Sequence, residues 1–443
     1  MSEEALPGYR GELREELVAA GASVGDILEL ESRGRTYKGV LMPRVETADD
    51  WHIVIKLDSG YNIGVSFDES TRIRRLGEAE RPEFRPPPLP EMRPGLPKVS
   101  IVSTGGTIAS RVDYITGGVY AAMSSRDLLS IVPELADIAQ VEADILYSVF
   151  SENIRAEHWS GIARRVADKI EEGADGVVVT HGTDTMAYSA AALSFILQDL
   201  PVPVIFVGSQ RSSDRPSSDA ATNLLGTVRV AAEAPFAEVV VGMHETTSDD
   251  SIIFHRGTKA RKMHTSARYA FDSVNHSPIA RVLGEDVEMM TDDYSRRSDS
   301  EPSIYDSFEE RVALVKFHPG FNLDILDWYI DEGFRGIILE GTGLGHVSEM
   351  CYPPLRRARE EGVIVGMTSQ CIFGRVNMNV YSTGRDLQSL GVIPLGDMLP
   401  ETAYIKMMWS LGQVDDIEDA IGLMRQNLAG EYTERTVYGE GGN

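Results

Sequence analysis

The sequence predicts an α/β protein: a pair of doubly wound parallel-sheet domains preceded by a small N-terminal β-barrel. Three observations lead to this prediction. From residue 98 onward, short β-branched runs alternate with helical patterns, which is typical of parallel sheets covered by helices. Before residue 80, brief alternating segments are separated by Gly, Asp and Asn, which is typical of small antiparallel barrels. Between the two, residues 81–97 contain seven prolines, a density that imposes an extended spacer.

The barrel prediction covers residues 1–80 and rests on a short helical pattern followed by four brief strands. Small barrels of this kind bind or dock other molecules, and nothing in this segment has the pattern of a catalytic site. The helical pattern spans residues 10–20, and strands are expected at residues 27–30, 37–42, 51–57 and 61–65.

Two α/β domains are predicted after the spacer, at residues 98–283 and 311–435, joined by an acidic, Ser-rich linker at residues 284–310. In the first domain, strands are expected at residues 99–102, 177–180, 204–207 and 239–243, and helices at residues 157–172 and 186–197. In the second, strands are expected at residues 312–317, 337–339 and 363–366, and helices at residues 325–330, 354–360, 401–409 and 417–428.

Composition limits what the protein does. The 443 residues are 42% hydrophobic, which is enough for large cores, and the net charge of −26 argues against this chain by itself gripping a phosphate backbone. An acidic surface poor in lysine fits either a cytosol rich in salt or simple solubility, and both interpretations stay open. No apolar run is long enough to span a bilayer and the acidic N-terminus lacks a signal-peptide core, so a cytoplasmic location is expected.

Metal and disulfide chemistry is not expected. The two cysteines, Cys351 and Cys371, are too few for a disulfide framework or a cysteine metal cluster. Histidines such as His181 and His255 do not fall at metal-ligand spacings. We therefore predict no metal and no cofactor in this chain.

Polar residues gather after two predicted strands of the first domain. Residues 103–109, here called the glycine turn, contain Thr104-Gly105-Gly106-Thr107, and residues 180–186, the threonine–aspartate turn, contain Thr183-Asp184. In open α/β sheets, ligands bind at the carboxyl ends of the strands. The glycine turn fits a phosphate nest or a nucleophile beside oxyanion donors, but it has neither G-x-G-x-x-G spacing nor a Walker lysine. The second turn fits chemistry or simple helix capping.

Both turns resemble the two signature motifs of the bacterial-type L-asparaginase family, and the resemblance extends over about residues 98–430. It implies an asparaginase-like fold and hydrolysis of the side-chain amide of glutamine or asparagine through an acyl-threonine. The N-terminal barrel, and the continuation of the glycine turn through residues 110–114, resemble a branch of that family. Its members are the glutaminase subunits of archaeal tRNA-dependent amidotransferases.

The resemblance also implies roles for individual residues. Thr107 is the expected nucleophile, and Tyr114, on a flap just downstream, is expected against its hydroxyl. A threonine hydroxyl must lose its proton to a positioned base as it attacks. The supporting group is expected to be Thr183, Asp184 and Lys262. A buried lysine can accept a proton but a neighbouring carboxylate stabilises its charged form, so the choice between Tyr114 and Lys262 as the base stays open.

Lys262 is preferred over Lys259 because its distance from residues 271–275 fits the family motif. For the substrate, the resemblance places Ser151 toward the carboxylate and Glu152, together with Asp184, toward the ammonium group. Residues 210–219 are expected to support the site without carrying chemistry. One stretch departs from free-standing asparaginases, many of which close the site with an acid from a neighbouring subunit: residues 374–381 contain no acid.

The resemblance further implies partners. The released ammonia would pass to a second subunit, which uses ATP and Mg²⁺ to convert Glu-tRNA(Gln) into Gln-tRNA(Gln), in a heterotetramer built on a homodimer of this chain. Two alternatives stay open: a free-standing asparaginase or glutaminase, and a non-catalytic amino-acid-binding regulatory module. The preference between glutamine and asparagine is also open, because one methylene changes pocket fit by only ~1–3 kcal/mol.

Overall fold

The computed structural model describes residues 5–44, 48–59, 61–79, 93–106, 129, 132–211 and 217–435, and the backbone of residues 110–112 and 119–121. Most of the predicted proline-rich linker lies outside the described residues, as do Thr107 and Tyr114. Within the described part of the chain, no helix is long and apolar enough to cross a membrane.

The N-terminal segment forms an antiparallel sheet with the strand order β4-β3-β2-β1-β5. Alternate residues of β1, such as Leu28 and Leu30, point into a core that one helix also covers. The Ser32 hydroxyl donates to the Ser66 carbonyl at 2.7 Å and joins β1 to β4, which are not neighbours, so the sheet curls as the barrel prediction expects. The elements are α1 Gly11–Ala19, β1 Asp26–Ser32, β2 Arg35–Leu41, β3 His52–Lys56, β4 Asn62–Ser66 and β5 Arg72–Glu78.

The largest sheet has the strand order β18-β17-β14-β13-β12-β10-β6-β9. Strands β9, β6, β10, β12 and β13 are parallel, as predicted, whereas β14, β17 and β18 extend the sheet in antiparallel pairing. The elements are β6 Lys98–Ser103, β7 Ser110–Val112, β8 Val119–Ala121, α2 Leu135–Ile138, β9 Gln140–Ile145, a 3₁₀ turn Ser151–Asn153, α3 Ala156–Glu171, β10 Gly176–Thr180, α4 Met186–Ile196, β11 Leu197–Gln198, β12 Val204–Val207, α5 Ala220–Glu233, β13 Val239–His244, β14 Ser251–Arg256, β15 Ala260–Lys262, β16 Phe271–Ser273, β17 Ala280–Leu283 and β18 Asp286–Met289.

Burial on both faces explains why the central strands read as continuous apolar runs. In β10, Val177 and Val179 pack with α3 and α4, whereas Val178 packs on the opposite face with α5. All three valines are fully buried. A strand covered by helices on both faces needs apolar residues at every position.

A second, smaller parallel sheet has the strand order β20-β21-β22-β23. Its helix α9 packs against α4 of the first sheet, with the Phe195 and Trp409 rings 5.9 Å apart, so the two α/β units share one core. The elements are β19 Ser303–Ile304, β20 Val312–Lys316, α6 Asp324–Asp331, β21 Gly336–Gly341, a 3₁₀ turn Glu349–Cys351, α7 Tyr352–Glu360, β22 Ile364–Ser369, α8 Ser382–Ser389, β23 Ile393–Pro394, α9 Pro400–Gln413 and α10 Ile417–Arg425.

The stretch predicted as a linker, residues 284–310, contains two strands. β18 pairs with β17, and its Val287 and Met289 pack against the core, while β19 pairs with β11. The acidic residues of β18 alternate with these apolar ones at the edge of the sheet, which is why composition gives the appearance of a linker. The domain bounds themselves stay a prediction.

A buried ion pair links the two α/β units. Lys259, which follows β14, places its Nζ 2.7 Å from the Asp397 carboxylate, which follows β23, and both side chains are fully buried. Thr433 donates to the same carboxylate from its backbone N–H at 2.9 Å and its hydroxyl at 2.6 Å. Burial raises the pKa of the Asp397 carboxyl, but Lys259 and Thr433 more than offset burial and hold that pKa below its usual value.

Replacing Lys259 by methionine should therefore lower the free energy of unfolding by about 3 kcal/mol, because it leaves the Asp397 carboxylate buried without its cation. Urea unfolding measures this change. The matched control is Lys316→Met, which breaks the surface pair between Lys316 and Glu340 (3.2 Å) and should cost no more than about 0.5 kcal/mol. Equal losses in the two variants would contradict a structural role for the buried pair.

Candidate active site

Strand register brings the two turns together. β6 and β10 are parallel neighbours with Ser103 opposite Thr180, so both turns leave the sheet at the same edge and at the same height. Thr104 fixes their spacing, since its hydroxyl and its backbone N–H both donate to the Thr180 carbonyl, at 2.8 Å and 3.1 Å. Thr104 therefore shapes the glycine turn.

Glycines allow the turns to touch. Gly106 has a φ of +82°, and a Cβ there would lie 2.6 Å from the backbone nitrogen of Gly182. A Cβ on Gly182 would in turn lie 2.7 Å from the Cβ of Ser151. Any side chain at either glycine would push apart the segments that carry the predicted nucleophile, the supporting group and the substrate-binding serine.

Lys262, at the end of β15, connects the site residues of the second turn. Its Nζ donates to Thr183 Oγ1 and to Asp184 Oδ1, each at 2.8 Å. The lysine side chain is 13% exposed and that of Asp184 is 73% exposed, so the cation lies at the protected end of the pair. Lys259 lies elsewhere, in its ion pair with Asp397. The geometry thus agrees with the preference for Lys262.

This arrangement defines what the group can do chemically. Because the Thr183 oxygen accepts a hydrogen bond from the Lys262 cation, its own O–H can donate toward the neighbouring glycine turn. Asp184 keeps a second carboxylate oxygen toward solvent, where an ammonium group could bind. Hydroxyl, cation and carboxylate within one cluster suit acyl transfer at an amide.

Ser151 and Glu152 lie on the 3₁₀ turn before α3. Ser151 is buried against the threonine–aspartate turn, and its carbonyl accepts a 2.7 Å hydrogen bond from the Thr185 hydroxyl. Glu152 is exposed. The described part of the glycine turn ends at Gly106, so the roles predicted for Thr107 and Tyr114, and those of the other site residues, stay predictions.

His181 serves as a structural anchor for the threonine–aspartate turn. Its Nδ1 lies 2.7 Å from the Gly182 carbonyl and its Nε2 lies 2.9 Å from the Ser189 hydroxyl, which also accepts from Trp159. Burial lowers the pKa of His181 to about 4. The neutral ring therefore donates from Nδ1 and accepts at Nε2, which fixes the backbone before Thr183.

The buried histidine predicts a pH dependence of stability. The His181 pKa falls from 6.5 to about 4 on folding. Below pH 6.5 the unfolded chain therefore binds a proton at this ring that the folded chain does not bind until the pH approaches 4. Lowering the pH from 7 to 5 should therefore cost about 2 kcal/mol through this ring. For His181→Gln, urea unfolding at both pH values should show a loss of unfolding free energy that is smaller by this amount. The exposed His318→Gln is the control, and an unchanged pH dependence in His181→Gln would contradict the assignment.

The described ends of the loop after β12 are held by Asp219, and the supporting role expected for residues 210–219 stays a prediction. The fully buried Asp219 accepts hydrogen bonds from the backbone N–H groups of Gln210, at 3.1 and 2.9 Å, and Arg211, at 3.0 Å. Asn223 donates to the Gly208 carbonyl at 2.9 Å. The sequence did not single out Asn223 or its partner His244, although the spacing of Asp219 and Asn223, one helical turn apart, was a usable signal.

The stretch at residues 374–381 contacts the first α/β unit. Asn275, just after β16, donates to the Gly374 carbonyl at 3.0 Å and accepts from the Gly374 N–H at 2.8 Å.

Among the described residues, no group of three or more His, Cys, Asp or Glu side chains is arranged to hold a metal ion.

Comparisons with known proteins agree with this geometry. The family descriptions "Asparaginase, N-terminal", "Glutaminase/Asparaginase C-terminal domain" and "GatD N-terminal domain" match residues 98–294, 311–424 and 22–76. The L-asparaginase of Thermococcus kodakarensis is 34% identical, with a TM-score of 0.67, over 76% of this chain and 100% of its own. L-asparaginase I of Vibrio cholerae is 30% identical, with a TM-score of 0.68, over 76% of this chain and 99% of its own. The fold is that of an asparaginase-type amidohydrolase.

Relatives that match nearly the whole chain show to which family of asparaginase-type proteins it belongs. The D subunit of the glutamyl-tRNA(Gln) amidotransferase of Metallosphaera sedula is 52% identical over 97% of both chains. Those of Methanothermobacter thermautotrophicus and Pyrococcus horikoshii are 51% and 50% identical over 97% and 96% of this chain and 98% of their own. This chain belongs to the family of glutamyl-tRNA(Gln) amidotransferase D subunits.

Proposed function

We propose that this chain is the glutaminase subunit of a tRNA-dependent amidotransferase. It hydrolyses glutamine and supplies ammonia to a partner, the E subunit of the amidotransferase, which converts Glu-tRNA(Gln) into Gln-tRNA(Gln). ATP and Mg²⁺ act in the partner and not in this chain. In this proposal two copies of the chain form a homodimer within a heterotetramer in the cytoplasm.

The observation that carries the proposal is the extent of the match. The two free-standing asparaginases align over nearly all of their own length but leave about a quarter of this chain uncovered. The D-subunit relatives match 96–97% of it, and the GatD N-terminal description covers residues 22–76, within the barrel. A free-standing glutaminase does not need this additional barrel, whereas a subunit that must dock does.

The chemistry follows from the cluster of Lys262, Thr183 and Asp184. In the first step, Thr107 Oγ attacks the side-chain carbonyl carbon of glutamine, the hydroxyl proton passes to Tyr114 or Lys262, and a tetrahedral oxyanion forms. The C–N bond then breaks, the nitrogen takes the Thr107 proton from the base, and ammonia leaves with the acyl group on Thr107. Water, oriented by the Thr183 hydroxyl, attacks this ester and gives a proton to the same base; the bond between Thr107 Oγ and the acyl carbon breaks, Oγ takes that proton, and glutamate is released. With either base, Lys262 is a cation once the oxyanion has formed and stabilises its negative charge.

Ammonia release tests the proposal. The purified chain should release ammonia from glutamine slowly by itself, and faster when the E subunit and Glu-tRNA(Gln) are added. Brisk hydrolysis that neither addition changes would instead indicate a free-standing asparaginase or glutaminase. No hydrolysis under any condition, with retained glutamine binding, would indicate a regulatory module. Asparagine, assayed in parallel, determines the substrate preference.

A further inference from the structure

A buried polar network lies beneath the threonine–aspartate turn. It runs from the Gly208 carbonyl through the Asn223 amide and the His244 ring to the Asp249 carboxylate. Asn223 and His244 are both fully buried. Buried polar groups cost free energy unless their partners are in place, so the donor and acceptor roles within this network are tightly constrained.

The orientation of the Asn223 amide is fixed by its neighbours. Its Nδ2 lies 2.9 Å from the Gly208 carbonyl and 3.1 Å from an Asp219 carboxylate oxygen, and both of these are acceptors. A flipped amide would place its own oxygen against both. The Asn223 oxygen must therefore face His244, whose Nδ1 lies 2.5 Å away, and that ring nitrogen must carry a proton.

The other ring nitrogen of His244 faces a second acceptor. Its Nε2 lies 3.0 Å from Asp249 Oδ1. The hydrogen bond to His244 and the charge of Arg268, whose guanidinium lies 2.6 Å from the same oxygen, hold the pKa of Asp249 below its usual value. Asp249 is thus a carboxylate with no proton to give. Both ring nitrogens of His244 therefore face an oxygen that can accept a hydrogen bond.

Gly208 connects this network to the threonine–aspartate turn, since its carbonyl bonds Asn223 and its backbone contacts Thr183. A Cβ on Gly208 would lie 2.8 Å from the His181 carbonyl oxygen and 2.8 Å from Thr183 Cγ2, so the Gly208 backbone packs directly under Thr183. Lys262 holds the other side of the same threonine. A shift of Gly208 would therefore move the Thr183 hydroxyl relative to Lys262.

We propose that His244 donates from both ring nitrogens, to Asn223 and to Asp249, and is a positioning residue for the glutaminase site: by donating to Asn223 it locks the Gly208 backbone under Thr183. Arg268 holds the Asp249 carboxylate that faces the other side of the ring. The kinetic consequence of this inference rests on the proposed function. The protonation state of His244 does not depend on that function.

The kinetic test uses variants at His244. His244→Leu should lower kcat for glutamine by roughly 10–100-fold, because small displacements of a catalytic group have effects of this size, while KM changes by less than about threefold. His244→Gln, whose amide can still donate to Asn223, should recover most of that kcat. An unchanged kcat in His244→Leu, or a loss carried by KM, would overturn the positioning role.

The protonation state is tested by ¹⁵N NMR of histidine-labelled protein, which needs no turnover. Wild-type protein at pH 7 should show a ring with both nitrogens protonated whose signals are missing from His244→Gln. Asp249→Asn should remove one of the two ring protons, whereas Asp250→Asn, at the adjacent exposed carboxylate, should remove neither. A neutral His244 in wild type would overturn the inference even if glutamine is hydrolysed. A charged ring in a chain without glutaminase activity would instead locate the failure in the proposed function.

Discussion

Lys262→Met is expected to lower kcat for glutamine hydrolysis by roughly 10³-fold, equivalent to about 4 kcal/mol of transition-state stabilisation. Methionine keeps an unbranched side chain, one atom shorter than that of lysine, but removes the cation that donates to Thr183 and Asp184, at 2.8 Å each. The variant loses both the orientation of the Thr183 hydroxyl and the positive charge beside the reacting carbonyl. Steady-state ammonia release measures the effect.

The neighbouring arginine on the same strand provides a matched control. Arg261 pairs with Glu401 at 3.1 Å and does not bond the threonine–aspartate turn. Arg261→Met should therefore keep kcat within about threefold of wild type. If both variants lost activity equally, the loss would reflect damage to β15 and not the removal of a site cation.

Lys262→Arg, paired with Tyr114→Phe, addresses which residue takes the nucleophile's proton. Arginine keeps the positive charge but cannot accept a proton in a protein. A Lys262→Arg variant that retains activity, together with an inactive Tyr114→Phe, would assign the base to Tyr114. The opposite pair of results would assign it to Lys262.

Thr107→Val should abolish turnover, with a loss of roughly 10⁴-fold or more, because it removes the oxygen that forms the acyl bond. Valine has nearly the shape of threonine, so the fold and the circular dichroism spectrum should not change. Mass spectrometry of acid-quenched wild-type protein should show a glutamyl adduct on the peptide that contains Thr107, and the variant should show none.

A surface threonine provides the control for this loss. Thr247→Val, at an exposed position, should keep wild-type activity and the same adduct. Substantial ammonia release by Thr107→Val, or an adduct on another residue, would show that Thr107 is not the nucleophile. Thr183 would then be the next candidate, since its hydroxyl lies in the same cluster.

Local sequence was sufficient to predict most elements near the site. The runs at Val177–Val179 and Val204–Val207 were recognised as strands because β-branched residues buried on both faces have few alternatives. Helix α4 starts at Met186, as predicted, directly after the threonine–aspartate turn. The antiparallel extension of the large sheet was not predicted. Strands such as β17 and β18 are short and partly exposed, and their pairing depends on residues distant in sequence.

The motifs of this chain determined by themselves which chemistry is present: hydroxyls, a carboxylate and glycines at the ends of two strands, in the order found in asparaginases. The tertiary structure decided which side chains meet. Lys259 and Lys262 are the same residue type and lie three residues apart. Nevertheless, Lys259 is buried against Asp397, whereas Lys262 donates a hydrogen bond to Thr183. Likewise, the acceptors that face the two ring nitrogens of His244 come from other segments of the chain. Burial and hydrogen-bond partners are set by long-range packing, which a local pattern does not encode.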